Sequence, residues 1–169
     1  MALPCYNVNE PQPPLKLNTK HNLFKLFQGD TGLLCAACMS NIQFDILMGN
    51  VDINMGSILE NVIAQEIKSK GFDLHYFDSK KIGEIDFVIQ NGMQVDLLEV
   101  KSGNDYKKHN AMNKMLGMQG WNFGQAYVFS HGNLEQYGEI LYLPWYMIMF
   151  YRRNVILQSQ KYEVDLSGL

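Results

Sequence analysis

The sequence lacks an excess of basic residues and any apolar run long enough to cross a membrane. Its 17 acidic residues outnumber its 14 Lys and Arg, so contact with a polyanion must come from local clusters of basic side chains. The apolar stretch 140–151 contains Pro144 and is far shorter than the ~20 residues of a membrane-spanning helix. We therefore expect no membrane segment.

Cysteine is also scarce. Cys5, Cys35 and Cys38 form an odd set, and the first residues show no secretory signal. These features favour reduced thiols and a cytoplasmic location. Cys35 and Cys38 have the spacing of a zinc or redox pair, but the sequence has no second pair, and a structural zinc site needs four ligands. We interpret these two residues as buried free thiols.

The motif Gly-x-x-x-x-Gly-Lys-Ser/Thr is absent as well. In P-loop ATPases the backbone amides of this motif cradle the phosphates of the nucleotide. The chain therefore cannot be an ATPase by itself.

With 169 residues, of which 47% are apolar, the chain can bury one sizeable core. Residues 1–22 include four prolines, and we interpret them as an extended lead-in rather than a helix or a central strand. Residues 23–169 would then form the domain. A break at 28–30 divides its first apolar segment, which indicates a strand or turn followed by a short helix.

The region 57–130 has the clearest pattern of helices and strands. Ser57 and Glu60 have the spacing of a capping box, so we expect a helix that ends at Gly71. Strands are predicted at 72–77, 84–90 and 93–101, with Asn91-Gly92 as the turn of a hairpin. A helix over 107–118 and a strand over 125–130 follow. Periodicity does not distinguish helix from strand at 141–151 and 155–157.

The predicted hairpin brings charged residues together. If Asn91-Gly92 is a two-residue turn, Gln90 pairs with Met93 and Asp86 lies opposite Leu97. Because side chains alternate along a strand, one face then holds four charged residues, namely Glu84, Asp86, Glu99 and Lys101. Asp86 and Glu99 would be diagonal neighbours with Cα atoms roughly 7–8 Å apart, close enough to share a cation.

Carboxylates on a covered sheet are costly unless a positive charge compensates them. Asp86 and Glu99 provide the oxygen ligands that suit Mg²⁺ or Mn²⁺. Lys101 can hold or deprotonate an attacking water and offset charge in a transition state. This layout is typical of phosphodiester hydrolysis. The alternative is that these are ordinary polar residues at the end of a hairpin, with Lys101 simply neutralising Glu99.

Asp86 followed after twelve residues by Glu99-Val100-Lys101 resembles the PD-(D/E)XK nuclease superfamily. The segments 56–61, 83–89 and 98–103, with 30–34 upstream and 143–146 downstream, look like the nuclease-like C-terminal region of a prokaryotic family of AAA-type ATPases. In that family a P-loop domain and a winged helix come first. The resemblance implies that this chain is a C-terminal fragment or a short stand-alone relative.

The resemblance implies a restriction-endonuclease-like α-β-β-β-α-β core with a central mixed sheet flanked by helices. Asp86 and Glu99 would be metal ligands, the Val100 carbonyl a further ligand and Lys101 the catalytic lysine. Glu60 would be a supporting acid, although it could equally serve as the capping-box acid for Ser57. The implied partners are DNA and a P-loop ATPase, and the chain could assemble as a homo-oligomer.

Two functions remain open at this point. The first is metal-dependent hydrolysis of DNA alongside an ATPase. The second is a catalytically inactive domain of the same fold that mediates interaction or oligomerisation of the ATPase. Several basic residues could contact a nucleic-acid backbone or could simply be solvated surface charge, namely Lys80, Lys81, Lys107, Lys108, His109, Arg152 and Arg153.

Overall fold

The computed structural model describes residues 1–39, 44, 48 and 55–154. Its strands are β1 (Ala2–Val8), β2 (Thr19–Gln28), β3 (His75–Ser79), β4 (Gly83–Ile85), β5 (Phe87–Asn91), β6 (Gln94–Val100), β7 (Phe123–Ser130), β8 (Glu135–Tyr137) and β9 (Ile140–Pro144). Its helices are α1 (Thr31–Met39), α2 (Gly56–Ser69) and α3 (Asn110–Leu116), with 3₁₀ turns at Leu15–Asn18 and Trp145–Phe150.

The described strands form two mixed sheets. The first has the order β2-β1-β3-β4 and the second the order β5-β6-β7-β9-β8. In the second sheet β6, β7 and β9 are parallel to one another, whereas β5 and β8 run antiparallel to their neighbours. Helices flank these sheets, so the predicted α/β class with mixed strand pairing is confirmed, but the described strands form two sheets instead of one central sheet.

The first 22 residues differ from the expected lead-in. Strand β1 lies inside the first sheet, between β2 and β3, and Leu3, Cys5 and Val8 are buried. Pro4 suggested otherwise because proline cannot donate a hydrogen bond in the middle of a sheet. Strand β3 pairs with β1 only at Tyr6 and Asn7, however, so Pro4 lies in the part of β1 that has a partner on one side alone.

The order of elements between residues 56 and 130 follows the prediction with one difference. The second predicted strand is divided at Asp86 into β4 and β5, which belong to different sheets. The ambiguous stretch near 141–151 forms strand β9 and a 3₁₀ turn. The other ambiguous segment, 155–157, lies outside the described residues.

Helix α2 begins differently from the prediction. Met55 is its N-cap residue and Ser57 lies inside the helix, so the capping box is wrong. Asn61, which is buried, anchors α2 to the first sheet. Its side chain accepts from the N–H of Gln28 at the end of β2 and donates to the carbonyl of the same residue. Its amide also donates to the Thr31 hydroxyl, 2.8 Å away. Asn61 therefore ties α2 to the start of α1.

The predicted alternation of side chains along the hairpin is confirmed for most positions. Val88, Val95 and Leu97 pack in an apolar cluster with Met112 and Met115 of α3. Residues of the opposite parity pack in the cluster that contains α2, namely Phe87, Ile89, Leu98 and Val100. Ile85 was expected in this second set but belongs with Val88, because the break at Asp86 changes the alternation.

The cysteines are free, as expected, but differ in burial. Cys5 is buried, Cys35 is partly exposed and Cys38 is exposed. The prediction of buried thiols at Cys35 and Cys38 is therefore wrong. In the part of the chain that the structure describes, no helix is both long enough and apolar enough for a membrane span.

Leu15→Ala tests whether the N-terminal segment is part of the fold. Leu15 is fully buried in the cluster that contains Val88, and we expect its truncation to lower the free energy of unfolding by about 2–5 kcal/mol. Leu17 is 81% exposed, so Leu17→Ala is the matched control and should change stability by less than ~0.5 kcal/mol. Urea unfolding measures both. Equal, small effects would mean that residues 1–22 do not stabilise the domain.

Candidate active site

The register of the hairpin places Asp86 beside Glu99. The strands pair as Phe87 with Leu98 and Asn91 with Gln94, so the turn residues are Gly92 and Met93 rather than Asn91 and Gly92. Asn91 stays in its strand because its buried amide donates to Asp96, 3.0 Å away. The observed pairing differs from the predicted one by two residues, so each side chain stays on its predicted face of the hairpin. Asp86 now lies opposite Glu99 instead of Leu97.

Asp86 occupies the break between β4 and β5. Its Oδ2 accepts a hydrogen bond of 2.8 Å from the backbone N–H of Val100, and a second hydrogen bond joins its carboxyl group to that of Glu99. Glu99 is only 4% exposed. The half-buried carboxyl group of Asp86 and the buried one of Glu99 therefore lie side by side at the open end of the hairpin, away from its turn.

Burial governs the protonation of this pair. Burial, and then the nearby Asp86, raise the pKa of Glu99 from 4.5 to about 8, against the opposing effect of Lys101. The pKa of Asp86 is also raised by burial, against the opposing effects of the Val100 N–H and Lys25. Glu99 is thus protonated near neutral pH and donates a hydrogen bond to Asp86. The raised pKa values indicate that the nearby cations compensate the pair only in part.

Lys101 is the nearest predicted cation. Its Nζ lies 3.4 Å from Oε1 of Glu99, and about a third of its side chain is exposed. Its backbone N–H donates to the carbonyl of Phe129 on β7, 2.8 Å away. The backbone is therefore fixed while the amine can reach both Glu99 and a molecule arriving from solvent.

Glu60 and Glu84 extend the acidic cluster, and Lys25 from β2 joins them. The Lys25 amine lies 4.0 Å from Glu60 and is hydrogen-bonded to Glu84. Burial opposes the charge of Lys25, but Glu84 outweighs it and raises the lysine pKa. Burial, and then Asp86, raise the pKa of Glu60. The structure thus brings together the predicted residues Glu60, Asp86, Glu99 and Lys101.

Lys25 was not predicted as a site residue. The available signal was a single lysine inside the apolar segment 23–27. Its amine also lies 5.1 Å from the centre of the Tyr76 ring. Because β2 is remote in sequence from the hairpin, spacing alone could not place Lys25 beside Glu84.

The two carboxyl groups are ligands of the kind that a small divalent cation takes. Within the described residues, no three His, Cys, Asp or Glu side chains form a ready-made ligand group. Mg²⁺, however, commonly binds one or two carboxylates and retains several waters. Asp86 and Glu99 provide two adjacent carboxyl groups whose raised pKa values reflect a shortage of positive charge. A cation in place of the shared proton would satisfy them.

Asp96 is a contrasting carboxylate on the same strand. It is 3% exposed, and both of its oxygens accept hydrogen bonds, from Asn91, the Tyr151 hydroxyl and the Gln125 N–H. These donors compensate its charge without any ligand. Asp96 therefore has a structural role, which distinguishes it from the hydrogen-bonded pair of Asp86 and Glu99.

Three of the seven basic residues proposed to contact nucleic acid are paired with an acid or with the backbone. Lys107 pairs with Glu135 and Lys108 with Asp105, and both precede α3 rather than belonging to it. Arg153 bonds to the carbonyl of Gly71. His109 is buried, so it is not available to touch a phosphate backbone.

Residues 55–148 match the profile of a family described as a domain of unknown function, DUF4143. The chain belongs to the DUF4143 family. DUF4143 is found with AAA ATPases, which confirms that part of the resemblance. No curated protein and no solved structure matches the chain. The DUF4143 region contains Glu60, Asp86, Glu99 and Lys101, whereas Lys25 precedes it.

Asp86→Asn and Asp96→Asn should have opposite effects in metal-free buffer. Asn at position 86 can still accept from Val100 and removes a buried acid, so we expect a neutral or stabilising change. Asn at position 96 would present an N–H₂ group to hydrogen-bond donors, so we expect a loss of roughly 2–4 kcal/mol. Thermal melts measure both. A clear destabilisation by Asp86→Asn would contradict the interpretation of Asp86 as an active-site acid.

The raised pKa of Glu99 predicts a pH-dependent stability. A folded-state pKa above the ordinary value stabilises the fold at low pH, and this contribution is lost as the pH rises toward about 8. Glu99→Gln mimics the protonated form at every pH. We therefore expect the melting temperature of Glu99→Gln minus that of the parent to grow by several degrees between about pH 5 and pH 8. A difference that stays constant would contradict the protonated pair.

Proposed function

We propose that this DUF4143 chain hydrolyses phosphodiester bonds of DNA with Mg²⁺ or Mn²⁺, working with a P-loop ATPase. The observation that carries the proposal is the half-buried Asp86 beside the buried Glu99, with Lys101 3.4 Å from Glu99. Two carboxylates and a lysine are the groups that metal-dependent phosphodiester hydrolysis needs. A cytoplasmic location belongs to the same proposal.

A restriction-endonuclease-like core is part of this proposal. Its support is the order of helix, strands, helix and strand over 56–130 and the position of Asp86 at a break in its strand. The association of DUF4143 with AAA ATPases supports the ATPase as the partner.

Asp86 and Glu99 would hold the cation, and the Val100 carbonyl is the further ligand that the PD-(D/E)XK resemblance implies. The bound ion would supply positive charge to a phosphate oxygen and acidity to a bound water. Val100 contributes in another way as well, because its N–H fixes Oδ2 of Asp86. That hydrogen bond holds the carboxyl group in place before any ligand arrives.

Lys101 would act on the water and on the charge that develops during hydrolysis. Its amine is partly exposed while the Glu99 side chain is almost fully buried, so it lies at the boundary where a phosphodiester would approach. A compact ammonium there can orient a water and stabilise developing negative charge. Lys25 would have a supporting role, since it offsets Glu60 and Glu84 and so reduces the repulsion of a phosphate.

Lys25 also gives the second candidate function a physical basis. It compensates part of the acidic cluster with a protein cation, as expected of a domain that keeps the fold without catalysis. In that case the chain would be an interaction or oligomerisation module of its ATPase. Cleavage assays decide between the two functions.

Lys101→Ala should reduce cleavage of DNA by roughly 10²-fold or more while the melting temperature changes little. Lys101→Arg should not restore activity, because a planar guanidinium cannot replace an amine that holds or deprotonates a water. Lys108→Ala, at an exposed lysine paired with Asp105, is the control. The assay uses single- and double-stranded DNA with Mg²⁺ or Mn²⁺, with and without the ATPase.

Equal cleavage by the parent and Lys101→Ala would contradict the role of Lys101. A parent that remains inert with its ATPase would favour the interaction module.

A further inference from the structure

The carboxyl ends of three neighbouring parallel strands meet at one edge of the second sheet. Lys101 follows β6, His131 follows β7 and Trp145 follows β9. Asp86 precedes β5, which runs antiparallel to β6, so it lies at the same edge. Ligands of α/β proteins commonly bind outside the carboxyl ends of parallel strands. This edge is therefore continuous with the candidate active site.

Three aromatic rings lie along this edge, starting next to Lys101. The indole N–H of Trp145 donates to the carbonyl of Lys101, 3.1 Å away. The ring centres of Trp145 and His131 are 6.1 Å apart, and those of His131 and Tyr106 are 5.2 Å apart. His131 is exposed, and Trp145 and Tyr106 are partly exposed. We call these three residues the aromatic row.

We propose that the aromatic row binds single-stranded DNA and leads it to Lys101; this inference rests on the proposed function and names its substrate class. Aromatic side chains bind single strands because unpaired bases stack on them, whereas the bases of a duplex are already stacked on one another. The row offers rings at three positions along one edge. A duplex could not use them without being opened.

The charges around the row favour the same substrate. Duplex binding depends mainly on neutralising phosphates with free Lys and Arg. Here Lys107 and Lys108 are paired with Glu135 and Asp105, and the whole chain has a net charge of −3. Lys107 lies 5.7 Å from the centre of the Tyr106 ring, but its pairing with Glu135 reduces what it can offer a phosphate. Stacking is thus the larger source of affinity that this surface provides.

Fluorescence anisotropy tests the inference on the full chain. The probes are a labelled oligonucleotide of about 12 nucleotides, the duplex of the same sequence and an abasic strand of the same length. Glu99→Gln serves as the background so that cleavage does not disturb binding. We expect the single strand to bind about tenfold more tightly than either other probe.

The variants identify the residues responsible. His131→Ala should weaken single-strand binding by roughly 5- to 150-fold, the range that one lost base stack represents. Trp145→Phe keeps a ring but loses the bond to Lys101, and we expect it to retain most of the affinity. Phe24→Ala removes an exposed ring from β2, 51% exposed and in the other sheet, and should have no effect.

The inference is overturned if the duplex or the abasic strand binds as tightly as the single strand, or if His131→Ala binds as well as its background. These outcomes are separate from those of the proposed function. If the single strand binds as expected but the parent does not cleave DNA, the proposal of hydrolysis is wrong and the proposed single-strand surface stands. Equal cleavage of single strand and duplex, unaffected by His131→Ala, would remove the single-strand surface alone.

Discussion

The position of two carboxyl groups side by side, Glu99 buried and Asp86 half-buried, is the constraint on which the rest of this site depends. Asp86 and Glu99 cannot both be ionised at low cost in an apolar sheet unless a positive charge lies beside them. The protein supplies part of that charge through Lys101 and, farther away, Lys25. The remainder is a shared proton, which a divalent cation could replace. The strand break at Asp86 and the Val100 N–H keep the pair together.

Both sheets contribute to this arrangement. The hairpin of the second sheet carries Glu99 and Lys101, whereas β2 of the first sheet carries Lys25 and β4 carries Glu84. The chain passes from the first sheet to the second at Asp86, between β4 and β5. The DUF4143 match begins at residue 55. Lys25, which precedes the matched region, therefore offsets acidic residues of a site whose candidate catalytic residues all lie inside that region.

The faces of the hairpin could be predicted from the sequence because alternation is insensitive to a shift of two residues. The turn lies at Gly92-Met93 and not at the predicted Asn91-Gly92, yet Asp86 and Glu99 still lie side by side. The strand break could not be predicted, since the segment 85–89 reads as one apolar strand apart from Asp86 itself. The prediction of a capping box was wrong because the spacing of Ser57 and Glu60 does not by itself determine where the helix begins. Lys25 and the aromatic row depend on strands far apart in sequence.

Calorimetric titration with Mn²⁺ tests the central claim most directly. Above pH 8, where Glu99 ionises more readily, the parent should bind the ion at one site, and Asp86→Asn should not. Near neutral pH the same binding should release a proton to the buffer, because the cation displaces the one held by Glu99. A parent that binds no Mn²⁺, or an Asp86→Asn variant that binds it equally well, would contradict the account.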